Sequence, residues 1–124
     1  MADGKEYIKS SDEKGSINIS EDVVAVIAAA AAVDVEGVQG LFHAYGKDLT
    51  NMLIKGLSKG VKLSIDETGV MIDVYIMTEM GYSVSEVGEQ VQKAVMSAVE
   101  AAVGTTVNAV NVHICGVTLK KKDR

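Results

Sequence analysis

Residues 105–118, TTVNAVNVHICGVT, decide the fold because apolar side chains alternate with other types along most of their length. A period of two is typical of a β-strand that buries one face. The face predicted to enter the core carries Val110, Val112 and Ile114. The opposite face carries Asn111, His113 and Cys115. This strand raises the main functional question, which is whether its second face performs chemistry or contacts a neighbour.

The composition predicts one acidic domain. The 124 residues include 48% hydrophobic residues, enough for a single core. With 12 basic and 17 acidic residues, the net charge of -5 argues against a broad surface for nucleic acid or anionic lipid, because phosphate binding depends on Lys and Arg. The apolar run at residues 23–33 is shorter than the roughly 20 residues of a membrane-spanning helix. We therefore expect a cytoplasmic protein without direct membrane insertion.

The first third of the chain predicts a tail, a short strand and a helix. Residues 1–14 are polar and are expected to form a flexible tail before a single domain at residues 15–119, which a basic tail at residues 120–124 follows. Ser20 is placed as the N-cap of a helix over residues 21–33. The inward stripe of this helix is expected to consist of Val23, Ile27, Ala30 and Ala31.

The middle of the chain predicts a short strand at residues 38–42 and a short helix over residues 48–57. Because this helix has fewer than three turns and glycines flank it, we expect a mobile docking segment. Its apolar side chains are Leu49, Met52, Leu53 and Leu57. Alternating residues at 61–65 and 70–78, joined by turn-forming residues at 66–69, predict a β-hairpin.

The last part of the chain predicts a helix between two strands. Ser83 and Glu86 form a capping box at the start of a helix over residues 83–103, and Gly104 supplies its C-cap. The hairpin strand before this helix and the strand at 107–117 would then be parallel neighbours. The predicted fold class is α+β with two layers. A mixed sheet of four or five strands packs against two main helices, in the order βαβ followed by ββαβ.

The second face of this sheet is the predicted interaction surface. If both helices cover one side of the sheet, the side chains on the reverse side are exposed. They form a set that includes methionine and tyrosine, which are typical of protein interfaces. The set is Met71, Asp73, Tyr75, Met77, Asn111, His113 and Cys115. Another protein molecule, the segment at residues 48–57, or both would cover it. We expect a homo-oligomer.

The order of motifs resembles the alkaline shock protein family, also called the general stress or envelope stress response family of Gram-positive bacteria. The resemblance rests on INISEDVV at residues 17–24, GVQGL at 37–41, the hairpin and its following glycine within 59–84, and NAVNVHICGV at 108–117. It implies a small cytoplasmic α+β protein that acts without catalysis in cell-envelope or alkaline stress. For some members it also implies a membrane-anchored protein partner. It carries over no catalytic, cofactor or metal-binding residue.

The expected function is therefore a non-enzymatic, stress-associated adaptor or scaffold that self-associates and docks to proteins. Recognition would use the outer face of the sheet and also its edge. The alternative is a regulator that binds RNA or a small anionic metabolite at a loop carrying Lys55, Lys59 and Lys62. The glycines of that loop follow a GxxxG spacing, which is neither a phosphate-binding loop nor the GxxG of an RNA-binding module. Nucleic acid is not the expected partner.

Two chemical interpretations of the histidine and cysteine residues compete with the adaptor. His43, His113 and Cys115 could approach one another as zinc ligands, but a structural zinc site takes four ligands at close pair spacings. His113 could activate Cys115 as a nucleophile while Asp73 orients the imidazole, but the sequence places no helix N-terminus beside the thiol. We therefore expect no metal, no cofactor and no catalysis.

Overall fold

A computed structural model describes the protein at residues 7–42 and 60–119. These residues form the elements β1 (Tyr7–Asp12), β2 (Gly15–Ser20), α1 (Glu21–Val33), β3 (Val38–Leu41), β4 (Val61–Asp66), β5 (Gly69–Glu79), α2 (Val84–Val103) and β6 (Val107–Thr118). The predicted α+β class is confirmed, since both helices pack against a sheet of four strands. The predicted helix at residues 48–57 lies outside the described residues.

β5 is the central strand of the sheet. Along one edge it pairs in parallel with β6 over nearly its whole length. Along its other edge it pairs antiparallel with β4 through its first half and with β3 through its second half. The sheet is therefore mixed, as predicted, and β5, α2 and β6 form the expected crossover between two parallel strands.

The first two strands form a separate antiparallel hairpin, with pairs from Tyr7–Ser20 to Asp12–Gly15. The turn is made by polar residues: the Lys14 N–H donates to Asp12 Oδ1 at 2.8 Å, and Gly15 has a φ of 127°. The polar sequence YIKSSD predicted part of a flexible tail rather than a strand. β1 is therefore an element that the sequence pattern did not reveal.

The predicted turn between β4 and β5 is present and is held by one aspartate. Asp66 Oδ1 accepts hydrogen bonds from the Thr68 hydroxyl at 2.6 Å and from the Thr68 N–H at 2.8 Å. Because both bonds favour the ionised carboxylate, they hold the pKa of Asp66 below its ordinary value. The turn residues therefore fix the register in which Val61 pairs with Val74.

α2 is attached to the sheet by a stripe of valines. Its predicted caps are confirmed, because Ser83 Oγ accepts from the Glu86 N–H at 3.4 Å and Gly104 has a left-handed φ of 73°. The buried residues of α2 recur every four positions: Val87, Val91, Val95 and Val99. They share the core with the helix-facing residues of β5, which are Val70, Ile72, Val74 and Ile76.

α1 buries a different face from the predicted one. Its buried residues are Val24, Ala25, Ala28, Ala29 and Ala32. Of the predicted stripe, Val23 and Ala30 are exposed, while Ile27 and Ala31 are only half-buried. The prediction was wrong because α1 is apolar on nearly every side, so that hydrophobicity does not mark one face. Contact with α2 and with the sheet selects the face instead.

Candidate functional site

The outer face is the side of the sheet that points away from α1 and α2. Strand register brings five of its side chains together from three strands. Lys62 of β4 pairs with Asp73 of β5, which in turn pairs with Asn111 of β6. One step along the same face, Tyr75 pairs with His113. The sequence-predicted residues Asp73, Tyr75, Asn111 and His113 are therefore neighbours.

An aromatic stack occupies the middle of the outer face. The rings of Tyr75 and His113 are stacked, with their centroids 4.4 Å apart and their planes 12° from parallel. The ammonium nitrogen of Lys62 lies 5.7 Å from the Tyr75 ring centroid, within the range of a cation–π contact. The stack therefore has a cationic edge on the β4 side.

Asp73 connects the stack to its neighbours. His113 Nε2 lies 3.0 Å from Asp73 Oδ1, and Asn111 Nδ2 donates to the same oxygen at 3.2 Å. The His113 and Asp73 side chains are 43% and 30% exposed, so water screens the interaction between them. The contacts orient the imidazole, and a protonated His113 would form an ion pair with Asp73.

Two methionines flank the cluster on β5. Met71 is 43% exposed, whereas Met77 is half-buried. Met77 lies across Gly116 of β6, where the Cβ of any larger residue would come within 2.8 Å of Met77 Cε. The missing side chain at Gly116 thus makes room for the methionine. Both methionines extend the apolar part of the outer face.

Cys115 is separate from the His113 imidazole. It lies in a bulge of β6, where the pairing with β5 skips from Ile114 to Gly116. Its thiol is exposed and makes a 3.7 Å contact to the backbone carbonyl oxygen of His113. The imidazole of His113 instead faces Asp73. The geometry therefore provides no contact through which His113 would deprotonate Cys115.

Several predicted site residues lie outside the described part of the chain. These are the docking-segment residues Leu49, Met52, Leu53 and Leu57, the loop residues Lys55 and Lys59, and His43. Of the three loop lysines, Lys62 is described, and it lies beside Tyr75. Within residues 7–42 and 60–119, no group of three or more His, Cys, Asp or Glu side chains is arranged to hold a metal ion.

Tyr75 also marks the point on the sheet edge between the end of β3 and the start of β4. Its carbonyl oxygen accepts from the Phe42 N–H, and its own N–H donates to the Gly60 carbonyl, each at 2.8 Å. β3 and β4 therefore lie end to end along β5, with Tyr75 between them.

A cleft beside the start of α2 was not predicted from the sequence. It has a volume of about 900 Å³, and its lining includes Glu36, Tyr82, Glu86, Glu89 and Lys93. The Tyr82 hydroxyl donates to Glu36 Oε2 at 3.3 Å. The negative charge of Glu36 raises the pKa of Tyr82, with burial as a further cause. A tyrosine directly before the helix N-cap was the one sequence signal for this cleft.

A family model for the alkaline shock protein 23 family, described as having a cell envelope-related function, matches residues 9–119. The chain belongs to this family. The resemblance seen in the order of sequence motifs is thereby confirmed. Since the match covers both the β1–β2 hairpin and the sheet, the family relationship extends over the whole described fold.

Two proteins similar in sequence to this chain come from Bacillus subtilis and Streptococcus pyogenes. The uncharacterized protein YloU of Bacillus subtilis is 36% identical over 106 residues, which cover 83% of this chain and 88% of YloU. The uncharacterized protein Spy1535 of Streptococcus pyogenes is 37% identical over 108 residues, which cover 86% of this chain and 82% of Spy1535. These relatives match nearly the same length of chain.

Among solved structures, the copper form of MamM CTD is similar at a TM-score of 0.48 and 16% sequence identity, covering 82% of this chain and 87% of that chain. This likeness bears on neither ligand nor partner. In the described part of this family member, neither helix is long and apolar enough to cross a membrane.

Proposed function

We propose that this protein is a non-enzymatic adaptor that works at the cell envelope during alkaline or envelope stress. It acts from the cytoplasm by associating with itself and by docking to other proteins, including a membrane-anchored partner. The family description supports the link to the cell envelope. The docking surface is the outer face, formed by Met71, Asp73, Tyr75, Met77, Asn111, His113 and Cys115.

The observation that carries the docking role is the stack of Tyr75 and His113 in the middle of the outer face, in which the His113 side chain is 43% exposed. Aromatic and methionine side chains are enriched in the buried centres of protein interfaces, where they provide contact area at low cost in side-chain entropy. In the described chain Met71 and His113 stay exposed, while Tyr75 is half-buried. Docking of a protein would remove both rings and Met71 from water.

The charge of the outer face also suits a protein partner. Lys62 and Asp73 carry opposite charges and are paired across β4 and β5. The centre of the face is thus close to neutral, although the whole chain has a net charge of -5. A partner that covers this centre has to desolvate few uncompensated charges, which is the main electrostatic cost of forming an interface.

A catalytic role has less support from the same residues. His113 is bonded to Asp73, and Cys115 contacts a backbone carbonyl oxygen rather than the imidazole. Both side chains therefore lack the mutual hydrogen bond that nucleophile and base share in cysteine enzymes. The arrangement is better suited to holding an aromatic surface in a fixed orientation.

Tagged wild-type protein and a Tyr75→Glu variant, used as baits in a Gram-positive lysate that includes the solubilised membrane fraction, test the proposal. We expect wild type to retain a membrane protein and Tyr75→Glu to retain at least about tenfold less, because the substitution removes the aromatic stack and adds a negative charge at the centre of the outer face. Gln90→Glu adds the same charge at an exposed position of α2 and should retain as much as wild type. Equal retention by wild type and Tyr75→Glu would refute docking through the outer face.

A further inference from the structure

β6 has an edge that is open to another strand. Among the described residues, its one strand partner is β5. Side chains of α2 occupy the beginning of the other edge: Glu100 Oε2 accepts from the Val107 N–H at 2.9 Å, and Gln92 Nε2 donates to the Val110 carbonyl at 3.1 Å. α2 thus protects the first part of the edge and not the rest.

The open part begins after Val110. Because backbone groups of successive strand residues point to opposite edges, the N–H and C=O groups of Val112 and Ile114 point away from β5, as the Val110 carbonyl does. No described residue bonds to these groups of Val112 and Ile114. An unpaired row of this kind is a template for strand addition.

An exposed apolar patch adjoins the open edge. Its members are more than one-third exposed: Met80, Val84, Ile114, Val117 and Leu119. They belong to the end of β6, to the residues that follow β5 and β6, and to the start of α2. The Met80 N–H donates to the Thr118 carbonyl at 2.9 Å, and Ile114 Cδ1 lies 3.7 Å from the Cβ position of Gly88, one turn after Val84.

We infer that the open edge of β6 pairs with the β6 edge of a second copy of this chain, in antiparallel orientation about a two-fold axis. This inference rests on the proposed function for self-association, and it names the surface responsible. Two-fold pairing would place the apolar patches of both copies next to each other and remove them from water. It would also join the two sheets and put both outer faces on one side of the dimer.

The charge of the edge supports a second copy as the occupant. The stretch from Val112 to Thr118, VHICGVT, contains no Asp, Glu, Lys or Arg. Two copies of an acidic chain would normally repel each other, but this stretch brings no like charges into contact. The edge also lacks the lysine and proline residues with which many proteins protect their edge strands.

Light scattering on the full chain tests the pairing. We expect wild type to have twice the 13.1 kDa mass of one chain. Val117→Lys should weaken the dimer at least about tenfold, because it places a charged side chain in the apolar contact between the copies. Val26→Lys is the matched control, since Val26 is 39% exposed on α1 and Val117 is 45% exposed. This control should keep the wild-type mass.

Chemical cross-linking locates the contact independently. Cys115 is the only cysteine of the chain and lies within the open stretch, so that a short bis-maleimide reports on one position alone. We expect wild type and Val26→Lys to give a cross-linked dimer and Val117→Lys to give at least about tenfold less. If Val117→Lys does not fold, Leu119→Lys repeats the test at a position that is 75% exposed.

Three results would overturn the pairing: a monomeric wild type, a Val117→Lys dimer as tight as wild type, or a dimer without cross-linking at Cys115. If Tyr75→Glu separated the copies and Val117→Lys did not, the edge would be excluded while the adaptor role stood. If Tyr75→Glu lost the membrane partner and stayed dimeric, both proposals would be supported separately.

Discussion

His113 of β6 lies flat against Tyr75 of β5, with 4.4 Å between the ring centroids. The two residues are directly paired in the parallel ladder, so the stack follows from the strand register and not from a loop conformation. It joins two strands that are far apart in sequence through side chains as well as backbone.

We expect His113→Ala to lower the free energy of unfolding by about 0.5–1.5 kcal/mol, because the stack and the hydrogen bond to Asp73 are both lost. Urea denaturation of the variant and wild type measures the difference. Ser64→Ala, at an exposed position of β4, serves as the control and should change stability little. A loss in His113→Ala no greater than in this control would show that the stack contributes no stability.

Gly69 is required by the path of β5. Its φ is 140°, and a Cβ there would lie 2.6 Å from the carbonyl oxygen of Thr106. Because this oxygen belongs to the backbone directly before β6 and cannot easily move, Gly69→Ala should cost about 2 kcal/mol or more. Gly40→Ala meets nothing within 4 Å and should change stability by less than about 1 kcal/mol. Similar unfolding midpoints for the two variants would contradict this explanation.

Removing the N-cap of α2 should cost less stability than the Gly69 substitution. Ser83→Ala removes the acceptor of the Glu86 N–H and should lower the free energy of unfolding by about 1 kcal/mol. Ser97→Ala, at an exposed position inside α2, should be neutral or slightly stabilising, since alanine has the higher helix propensity. Thermal unfolding followed by circular dichroism distinguishes the two, and equal effects would argue against a capping role for Ser83.

The contact between Tyr82 and Glu36 makes the stability of the fold sensitive to pH in the alkaline range. The negative charge of Glu36 raises the pKa of Tyr82 above its ordinary value of 10.0. The folded protein therefore keeps the phenolic proton when the unfolded chain has lost it, and stability falls as pH rises from about 10 through the raised pKa. We expect Tyr82→Phe to lose less stability over this range in urea titrations at stepped pH. Glu36→Gln should act in the same direction; an unchanged pH dependence in both variants would contradict the assignment.

Sequence patterns predicted the features of the fold that depend on a few neighbouring residues. Alternation along β5 and β6 placed Asp73, Tyr75, Asn111 and His113 on one face, because side-chain direction in a strand follows from position alone. The caps at Ser83 and Gly104 were predictable for the same reason, since each is set by a few neighbouring residues. The turn held by Asp66 was also predictable, because it too is set by neighbouring residues.

Features set by packing between distant elements were not predictable. The buried face of α1 is selected by contact with α2 and the sheet, while its own alanines and valines surround the helix on all sides. β1 is stabilised by backbone pairing with β2, to which its polar side chains give no clue. The bulge at Cys115 interrupts the alternation that otherwise predicted the outer face, so the thiol follows a different geometry from His113.

The hydrogen bonds of Tyr75 to Phe42 and Gly60 have a consequence for the spacing of the sheet. Since one residue of β5 holds both partners, the end of β3 and the start of β4 stay at a separation that β5 alone determines. Two residues that are 18 positions apart in sequence are thereby held at the same point of the sheet edge, so a probe at either one reports on the same site of β5.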